Sequence, residues 1–167
     1  MVVFYPADWT FVCPTELVGY SDAAAKFAEL KANVIAVSTD SVHSHIAWIN
    51  TPKSKGGLGP MNIPVVEDPS HAISKHFQVL VEDPADGMVG KAVRGTFIID
   101  PKGIIRSATI NDDQIGRSVD ETLRLLEACV YADEHGGEVC PMGWKKGGKT
   151  IVADPIKSKE YFAAVNA

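Results

Sequence analysis

The sequence predicts an α/β fold in which a mixed central sheet carries helices on both faces. Two patterns lead to this prediction. In the first half of the chain, short apolar segments alternate with helical ones, and parallel strands need such helical connections. Further along, two strand-like segments flank Pro101-Lys102-Gly103, a turn sequence that is typical of an antiparallel hairpin.

The first elements surround a loop that carries a cysteine. Residues 2–5 are β-branched and aromatic, which predicts a strand that Pro6 ends. Pro14 suits the first turn of a helix, where its missing N–H is not needed, and the apolar spacing extends this helix to Lys31. Residues 34–38 are an unbroken apolar run, as in a parallel strand that is covered on both faces.

The remaining elements complete the sheet and its helices. Ser41 is a good helix N-cap, and Ser118 followed by Glu121 is typical of a capping box. This order of elements is the plan of a thioredoxin-like fold. The predicted elements are helices over 41–50, 71–77 and 118–131, strands over 63–66, 96–100 and 104–110, and a short helical patch around Tyr161-Phe162.

The chain is predicted to have two parts. Its 167 residues are enough for one domain with a sizeable core. Residues 1–131 form the thioredoxin-like core, and residues 132–167 form a glycine- and lysine-bearing C-terminal arm. Because Met1 is followed at once by a strand, we also expect that a natural N-terminal leader is absent from this chain.

The composition argues against several classes of function. The net charge is −5 and the pI is near 5.5, which speaks against nucleic acid or an anionic membrane as partner. The sequence shows neither a signal peptide nor an apolar run of the ~18 residues that a membrane span needs, so the expected location is the cytoplasm. Three cysteines are too few for a disulfide scaffold, which favours reduced, reactive or metal-bound thiols.

Cys13 lies where a loop after a strand enters a helix. The helix N-terminus offers unpaired N–H groups and a positive dipole end, and both favour the nucleophilic thiolate. The Thr10 hydroxyl is expected to hydrogen-bond the sulfur or a bound oxygen, and Pro6 to stiffen the loop and shield the sulfur from water. The alternative is that Cys13 is a buried, inert small side chain, which is common for cysteine.

Other redox and cofactor chemistries lack support in the sequence. Cys13 has no second cysteine at Cys-x-x-Cys spacing, which argues against a thioredoxin-type electron carrier. The glycine patterns of dinucleotide and phosphate sites do not occur, so we expect no cofactor. His43 and His45 do not share a helix face and are interpreted as structural or solvated, not as metal ligands. Cys129 lies among apolar residues and is interpreted as a packed core thiol.

Five segments resemble the typical 2-Cys peroxiredoxins, the alkyl hydroperoxide reductase C and thioredoxin peroxidase family, in the same order and over essentially the whole chain. The first resembles the family's peroxidatic loop, Pro-x-x-x-Thr/Ser-x-x-Cys, and the last its resolving-cysteine segment. The segments are Pro6-Ala7-Asp8-Trp9-Thr10-Phe11-Val12-Cys13-Pro14-Thr15-Glu16, His45-Ile46-Ala47-Trp48-Ile49-Asn50-Thr51-Pro52, Arg94-Gly95-Thr96-Phe97-Ile98-Ile99-Asp100, Gly116-Arg117-Ser118-Val119-Asp120-Glu121 and Glu138-Val139-Cys140-Pro141-Met142-Gly143-Trp144.

This resemblance implies that Cys13 is the peroxidatic cysteine. Its thiolate attacks hydrogen peroxide or an organic hydroperoxide, releases water or an alcohol, and becomes a sulfenic acid. The resemblance also makes Thr10 and Arg94 polar partners of the sulfur, and a guanidinium suits that role because it is always charged. From the residues alone, Arg94 is instead an ordinary surface arginine at a strand edge. Glu16 and Arg117 also match family positions, with their roles left open.

Cys140 matches the family's resolving cysteine. The resemblance implies a disulfide between Cys13 of one chain and Cys140 of another, hence a homodimer that assembles into larger rings, with thioredoxin or an equivalent thiol as electron donor. The implied enzyme needs no metal, haem or nucleotide. The alternative, that Cys140 and His135 are metal ligands, is poor because the chain offers no second pair at zinc-like spacing.

Two further segments resemble a pair of motifs found in peroxiredoxins that over-oxidise readily: Gly56-Gly57-Leu58-Gly59 and Tyr161-Phe162. A C-terminal patch that slows opening of the Cys13 helix gives a second peroxide time to make the sulfinic acid. The alternative for the glycine segment is a flexible loop. These motifs also leave open a second function, a ring-shaped holdase chaperone or a peroxide sensor.

The chain departs from the family at three places. It has no residues corresponding to the stretch before the Val2 strand, the loop over residues 81–92 is longer, and Gly136-Gly137 contains an extra glycine that changes the reach of Cys140. A third, weaker interpretation follows from the first departure: the truncated start leaves the chain inactive.

Overall fold

A mixed five-stranded sheet forms the first of two units of the chain, Met1–Val119, in a computed structural model that describes residues 1–166. Its strands are β1 (Val2–Phe4), β2 (Ile35–Ser38), β3 (Val65–Glu67), β4 (Arg94–Ile99) and β5 (Ile105–Asn111). Their order across the sheet is β3-β2-β1-β4-β5. The first three pair in parallel, whereas β4 pairs antiparallel with both β1 and β5. This arrangement confirms the predicted α/β fold of thioredoxin-like plan.

The prediction of one continuous helix after the cysteine loop is wrong. The chain forms two helices there, α1 (Cys13–Asp22) and α2 (Ala24–Glu29), which meet at Ala23 with φ −88° and ψ 3°. Beside the junction, the backbone N–H of Asn62 donates to Ser21 Oγ at 2.8 Å and its side-chain amide donates to the Ser21 carbonyl at 3.2 Å. A tertiary contact therefore engages the backbone at the point where the local pattern favours a continuous helix.

Two other helices of the first unit, α3 (Val42–Ile49) and α4 (Ala72–His76), lie close to their predicted positions. A 3₁₀ turn (Lys53–Lys55) between them was not predicted. Ser41 caps α3 as predicted, because its Oγ accepts from the backbone N–H of Ser44 at 3.4 Å.

An aromatic cluster forms the centre of the core on one side of the sheet. The ring centroids of Phe4 and Phe77 are 5.1 Å apart, and Phe97 packs edge-on against both. Val37 and Val79 are fully buried in the same cluster. Such aromatic contacts add about 0.5–1.5 kcal/mol each beyond burial, so they help to fix the central strands that lead into the cysteine loop.

The second unit, from Asp120 onward, holds the C-terminal part of the chain. Helix α5 (Val119–Glu134) confirms the predicted amphipathic helix and extends it by three residues, and α6 (Ser158–Val165) confirms the helical patch. A two-stranded antiparallel sheet of β6 (Glu138–Val139) and β7 (Ile151–Val152) was not predicted. Two-residue strands are too short to show the alternation by which strands are recognised.

Within residues 1–166, none of the helices has both the length and the apolar character that crossing a bilayer requires.

The position of β1 places the cysteine loop over the middle of the sheet. The strand lies between β2 and β4, and the Tyr5 backbone N–H still donates to the Val37 carbonyl at 3.1 Å. Residues 6–12 then leave the carboxyl end of the strand, and α1 begins at Cys13. Ligand sites of open α/β sheets form at this end of the strands, so the topology directs attention to the first turn of α1.

Candidate active site

Cys13 is the first residue of α1, as the sequence predicts, and it is completely buried. The turn is held by the Val12 carbonyl, which accepts from the backbone N–H of Thr15 at 3.0 Å and of Glu16 at 3.3 Å. The Thr15 hydroxyl donates to the same carbonyl at 2.6 Å. The thiol thus lies in a closed helical turn, at the positive end of the helix dipole.

Arg94, at the start of β4, contacts the sulfur directly. Its Nη1 donates to Cys13 Sγ at 3.2 Å and to Glu16 Oε2 at 2.9 Å. Its Nε and Nη2 donate to the Asp113 carbonyl at 2.9 and 2.7 Å. The side chain is 4% exposed, so the alternative of an ordinary surface arginine is wrong. An inert thiol packed among apolar atoms, the alternative for Cys13, does not have this cationic partner.

Glu16, one helical turn beyond Cys13, lies between two guanidinium groups. Arg117 donates to it three times, from the backbone N–H and Nε to Oε1 and from Nη2 to Oε2, at 2.8–2.9 Å. Arg94 supplies the second cation through Nη1. In the sequence analysis Glu16 and Arg117 are only matches to family positions, and the structure joins them in one buried network with Cys13 and Arg94.

Arg117 also connects this network to the sheet. Its Nη1 donates to the carbonyls of Phe4 and Gly95 at 2.9 Å and to Thr96 Oγ1 at 3.1 Å. Its guanidinium carbon lies 5.9 Å from the centre of the Tyr20 ring on α1. One guanidinium therefore fixes α1 against β1 and β4, and with them the position of the Cys13 turn.

The two pKa shifts in the network show that its charges persist. Burial raises the pKa of Glu16, but the hydrogen bonds and charge of Arg117, with the charge of Arg94, outweigh burial and leave this pKa below its ordinary value. Burial lowers the pKa of Arg94, but Cys13 and Glu16 outweigh it and raise this pKa. Two guanidiniums thus face one carboxylate, which leaves an excess of positive charge in the network that contacts the sulfur.

The Thr10 hydroxyl has a different hydrogen-bond partner from the one expected. Its hydroxyl donates to the Ala7 carbonyl at 2.9 Å, which closes a turn inside the loop. Since a hydroxyl has one proton, Thr10 does not donate to the sulfur in this conformation. Pro6 is buried at the start of the same loop. The predicted roles of Thr10 and Pro6 at the sulfur stay predictions.

A buried hydrogen-bonded network beneath the loop was missed by the sequence analysis. Asp8 is 6% exposed and accepts from the Tyr5 hydroxyl, while its second oxygen lies 2.8 Å from His45 Nδ1. The Asp8 backbone N–H donates to Asp40 at 2.9 Å. An acidic residue between aromatic neighbours, Tyr5 and Trp9, was the available signal.

His45 is therefore structural, whereas His43 is exposed. Burial lowers the pKa of His45, but the hydrogen bond and charge of Asp8 outweigh burial and raise it. Burial and the Asp8 charge together raise the pKa of Tyr5 far above its ordinary value. The Asp8 side chain thus binds the loop to α3, on which His45 lies.

Cys140 lies in the second unit, directly after β6. It is half-buried, and its Sγ donates to the Ala128 carbonyl at 3.8 Å. Burial raises the pKa of Cys140, with Glu138 adding to the rise and Arg124 opposing it. The sequence analysis predicts a packed core thiol at Cys129, but this residue, on α5, is only half-buried. Within residues 1–166, none of the cysteines forms a disulfide.

His135 is engaged by Tyr131 rather than directed at Cys140. Its ring stacks on that of Tyr131 with centroids 3.8 Å apart, and its Nδ1 lies 3.0 Å from the Tyr131 carbonyl. Within residues 1–166, His, Cys, Asp and Glu side chains form no group of three or more that could hold a metal ion.

The glycine segment that follows α3 is tightly packed around Gly57 and Leu58. Gly56 has φ +79°, and its carbonyl accepts from Trp48 Nε1 at 2.8 Å. A Cβ at Gly57 would lie 2.0 Å from the Thr51 carbonyl oxygen, so a side chain cannot be accommodated there without a backbone shift. Leu58 is completely buried. The regulatory role of this segment stays a prediction.

A buried cysteine at a helix start, hydrogen-bonded to a guanidinium that is itself paired with a buried carboxylate, defines a thiol-based active site. Comparison with known proteins identifies its class. The AhpC/TSA family model matches residues 1–108, and the model for the C-terminal domain of 1-Cys peroxiredoxin matches residues 130–163.

Individual proteins match over nearly the whole chain. Peroxiredoxin tpx1 of Schizosaccharomyces pombe is 56% identical over 160 residues, which are 96% of this chain and 79% of that protein. Peroxiredoxin-1 of Gallus gallus is also 56% identical, over 96% of this chain and 77% of its own. The crystal structure of reduced Plasmodium vivax 2-Cys peroxiredoxin superimposes with a TM-score of 0.91 at 34% identity, covering 97% of this chain and 80% of that one. The chain belongs to the AhpC/TSA family of peroxiredoxins and is a peroxidase.

Proposed function

We propose that Cys13 is the peroxidatic cysteine, with Arg94, Thr10 and Pro6 as its partners. In this reaction the Cys13 thiolate attacks the terminal oxygen of hydrogen peroxide or an organic hydroperoxide. An S–O bond forms, the O–O bond breaks, and the departing oxygen takes a proton and leaves as water or an alcohol. The observation that carries the proposal is the 3.2 Å contact between Arg94 Nη1 and Cys13 Sγ.

The partners of Cys13 divide the chemical work. Arg94 stabilises the thiolate and, because the peroxide oxygen must approach the same sulfur, also the negative charge that develops on the leaving oxygen. Thr10 contributes once a loop movement exchanges its bond to Ala7 for one to the bound oxygen. Pro6, which is buried, excludes water from one side of the sulfur.

In the second step, Cys140 of the partner subunit resolves the sulfenic acid on Cys13. The Cys140 thiolate attacks the sulfenic sulfur, an S–S bond forms, and hydroxide departs and is protonated to water. Because Cys13 is completely buried, the first turn of α1 must open locally before this attack. The likeness to a protein described as a 2-Cys peroxiredoxin supports this step.

The surface supports assembly of the chain into homodimers and larger rings. Strand β5 forms one edge of the sheet and exposes Ile105 and Ile110, by 51% and 56%. Next to Cys13, Trp9 is 51% and Phe11 is 93% exposed. An apolar sheet edge and exposed aromatic side chains are features of surfaces that pair with another subunit.

Electrons reach the disulfide from thioredoxin or an equivalent thiol, and the C-terminal arm, residues 132–167, presents the resolving sulfur to its target. Cysteines that form no disulfide within residues 1–166 fit a reducing compartment such as the cytoplasm.

Non-reducing gel electrophoresis after one equivalent of peroxide tests this scheme. The wild type should form a disulfide-linked dimer, and Cys13→Ser and Cys140→Ser should not. Cys129→Ser is the matched control and should behave as the wild type. Retained peroxide turnover in Cys13→Ser would refute the assignment of the peroxidatic residue, and normal cycling of Cys140→Ser with thioredoxin would refute the two-cysteine mechanism.

A further inference from the structure

We propose that Arg124 is a positioning residue for Cys140: its guanidinium fixes the turn that follows the thiol and places a positive charge beside the sulfur. The proposal rests on the proposed function, in which Cys140 resolves the sulfenic acid, and adds a residue to that step. The residues concerned all lie in the second unit.

Three nitrogen atoms of the Arg124 side chain donate hydrogen bonds. Its Nε and Nη2 each donate to a carboxylate oxygen of Glu121 at 2.7 Å, which is a bidentate pair on the surface of α5. This pair sets the plane of the guanidinium. Its Nη1 then donates to the Trp144 carbonyl at 2.9 Å, in the segment beyond Cys140.

The bond to Trp144 holds the end of a turn that begins beside the resolving cysteine. The Trp144 backbone N–H donates to the Pro141 carbonyl at 3.1 Å, which closes the turn. The Trp144 ring is packed 4.9 Å from that of Tyr131. The start of the turn is held by the contact of Cys140 Sγ with the Ala128 carbonyl. Arg124 and Ala128 are four residues apart, so the same face of α5 holds both ends of the turn.

The charged groups around Cys140 have opposite effects on its sulfur. The charge of Arg124 favours the thiolate, whereas Glu138 on β6 disfavours it. Two other charged groups act on the carboxylates: the charge of Lys145 lowers the pKa of Glu121, and that of His135 lowers the pKa of Glu138. The resolving step consumes a thiolate, so Arg124 should raise the fraction of Cys140 that is ready to attack. Because Arg124 and Glu138 have opposite effects on the Cys140 pKa, removing their charges should shift that pKa in opposite directions.

Alkylation of Cys140 by iodoacetamide tests the proposal without any peroxidase activity. In a Cys13→Ser, Cys129→Ser background, Cys140 is the reacting thiol, and the alkylation rate against pH gives its midpoint. Arg124→Gln should move the midpoint to higher pH and slow alkylation at pH 7 about fivefold, as expected for loss of a partly exposed charge contact. Arg124→Lys should restore the midpoint, and Glu138→Gln should move it to lower pH.

Arg106→Gln removes the same charge in the first unit and is the matched control, with no expected shift. A change in the high-pH plateau with an unchanged midpoint in Arg124→Gln would overturn the proposal, since it would show a purely structural role. An equal shift in Arg106→Gln would overturn it as well, since the effect would be one of net charge.

In the full chain, Arg124→Gln should also slow disulfide formation after one equivalent of peroxide by about the same factor. Should the midpoint move as expected while peroxide yields no Cys13–Cys140 disulfide in any variant, the two-cysteine function fails and the assignment of Arg124 to Cys140 stands.

Discussion

The two cysteines of the proposed cycle differ in how far along the sequence their contacts reach. Cys13 is held by Arg94, which is 81 residues away, and the carboxylate beside it is held by Arg117, 101 residues away. These contacts exist only when the strands and α1 have come together. The attacking sulfur is therefore positioned by the whole first unit, and a small change in that unit is felt at the site.

Cys140 is held by its neighbours in the sequence. Its contact with Ala128 spans 12 residues, and the bond from Arg124 to Trp144 spans 20. Contacts of this kind can open and close without unfolding the rest of a chain. In the proposed cycle, the attacking cysteine thus has the long-range kind of support, and the resolving cysteine has the local kind.

Glu16→Gln should have the largest effect, because it removes the carboxylate between two buried guanidiniums. Breaking a buried ion pair on one side costs about 3–5 kcal/mol. We expect the free energy of unfolding, measured in urea, to fall by about this amount. Glu121→Gln is the control from the local set: its carboxylate is 54% exposed, and the expected loss is below ~1 kcal/mol. Equal losses in the two variants would contradict the difference between the two regions.

The stability difference between the wild type and Glu16→Gln should depend on pH. The pKa of Glu16 is lowered in the folded state, so its stabilising contribution is complete above the ordinary value of 4.5 and is lost as the pH falls through the lower folded-state pKa. The difference in unfolding free energy between the wild type and Glu16→Gln should therefore be constant from pH 6 to 7 and shrink below about pH 4.5. A difference that grows on acidification would contradict the sign of the shift.

Arg94→Met should reduce the rate of Cys13 oxidation by peroxide about 10²–10³-fold, the usual effect of losing one donor to developing negative charge. Stopped-flow fluorescence at several peroxide concentrations gives this rate. Arg106→Met is the control, because Arg106 lies on β5 and its ion pair with Asp100 is long, at 3.9 Å. A rate within threefold of the wild type in Arg94→Met would remove Arg94 from the reaction.

Tyr5→Phe tests the network beneath the cysteine loop. It deletes the hydroxyl that donates to the buried Asp8 carboxylate at 2.8 Å, and a hydrogen bond to a charged group contributes about 1.5–3 kcal/mol. Thermal or urea unfolding should show a loss of this size. Tyr161→Phe on α6, where the side chain is half-buried and has no buried charged partner among the described contacts, is the control and should change little. A neutral result for Tyr5→Phe would mean that His45 alone satisfies Asp8.

The smallest change concerns the pH dependence of the resolving step. Burial raises the pKa of Cys140 above its ordinary value. Since the thiolate is the nucleophile, the rate of disulfide formation should rise up to about tenfold per pH unit below that pKa. The rate of dimer formation after stoichiometric peroxide, quenched at intervals between pH 6 and 9, measures this. A rate that is flat over this range would show that another step limits resolution.

Much of the fold was predictable because its signals are local. Apolar runs gave β1 and β2, a turn sequence gave the β4–β5 pair, and capping residues gave α3 and α5. The break at Ala23 was not predictable from the local pattern, and the contact of Asn62 with Ser21 beside it exists only in the folded chain. The β6–β7 pair is too short to leave a periodic pattern.

The site was predictable in its nucleophile and less so in its supports. The position of Cys13 at a helix start follows from the local sequence, and Arg94 came only from resemblance. The double ion pair of Glu16 and the buried Asp8–His45 pair were missed, because a charged residue in a sequence is normally assigned to the surface. Only the distant partners of these carboxylates make their burial tolerable.

Arg117 has a consequence for how the enzyme returns to its starting state. Its Nη1 is bonded to the carbonyls of Phe4 and Gly95, which belong to the sheet and not to α1. In the proposed mechanism the turn that carries Cys13 opens and later re-forms, and we expect this guanidinium to stay in place. After each turnover, the first turn of α1 then re-forms against Arg117. The sheet that holds this guanidinium thereby sets the position to which Cys13 returns.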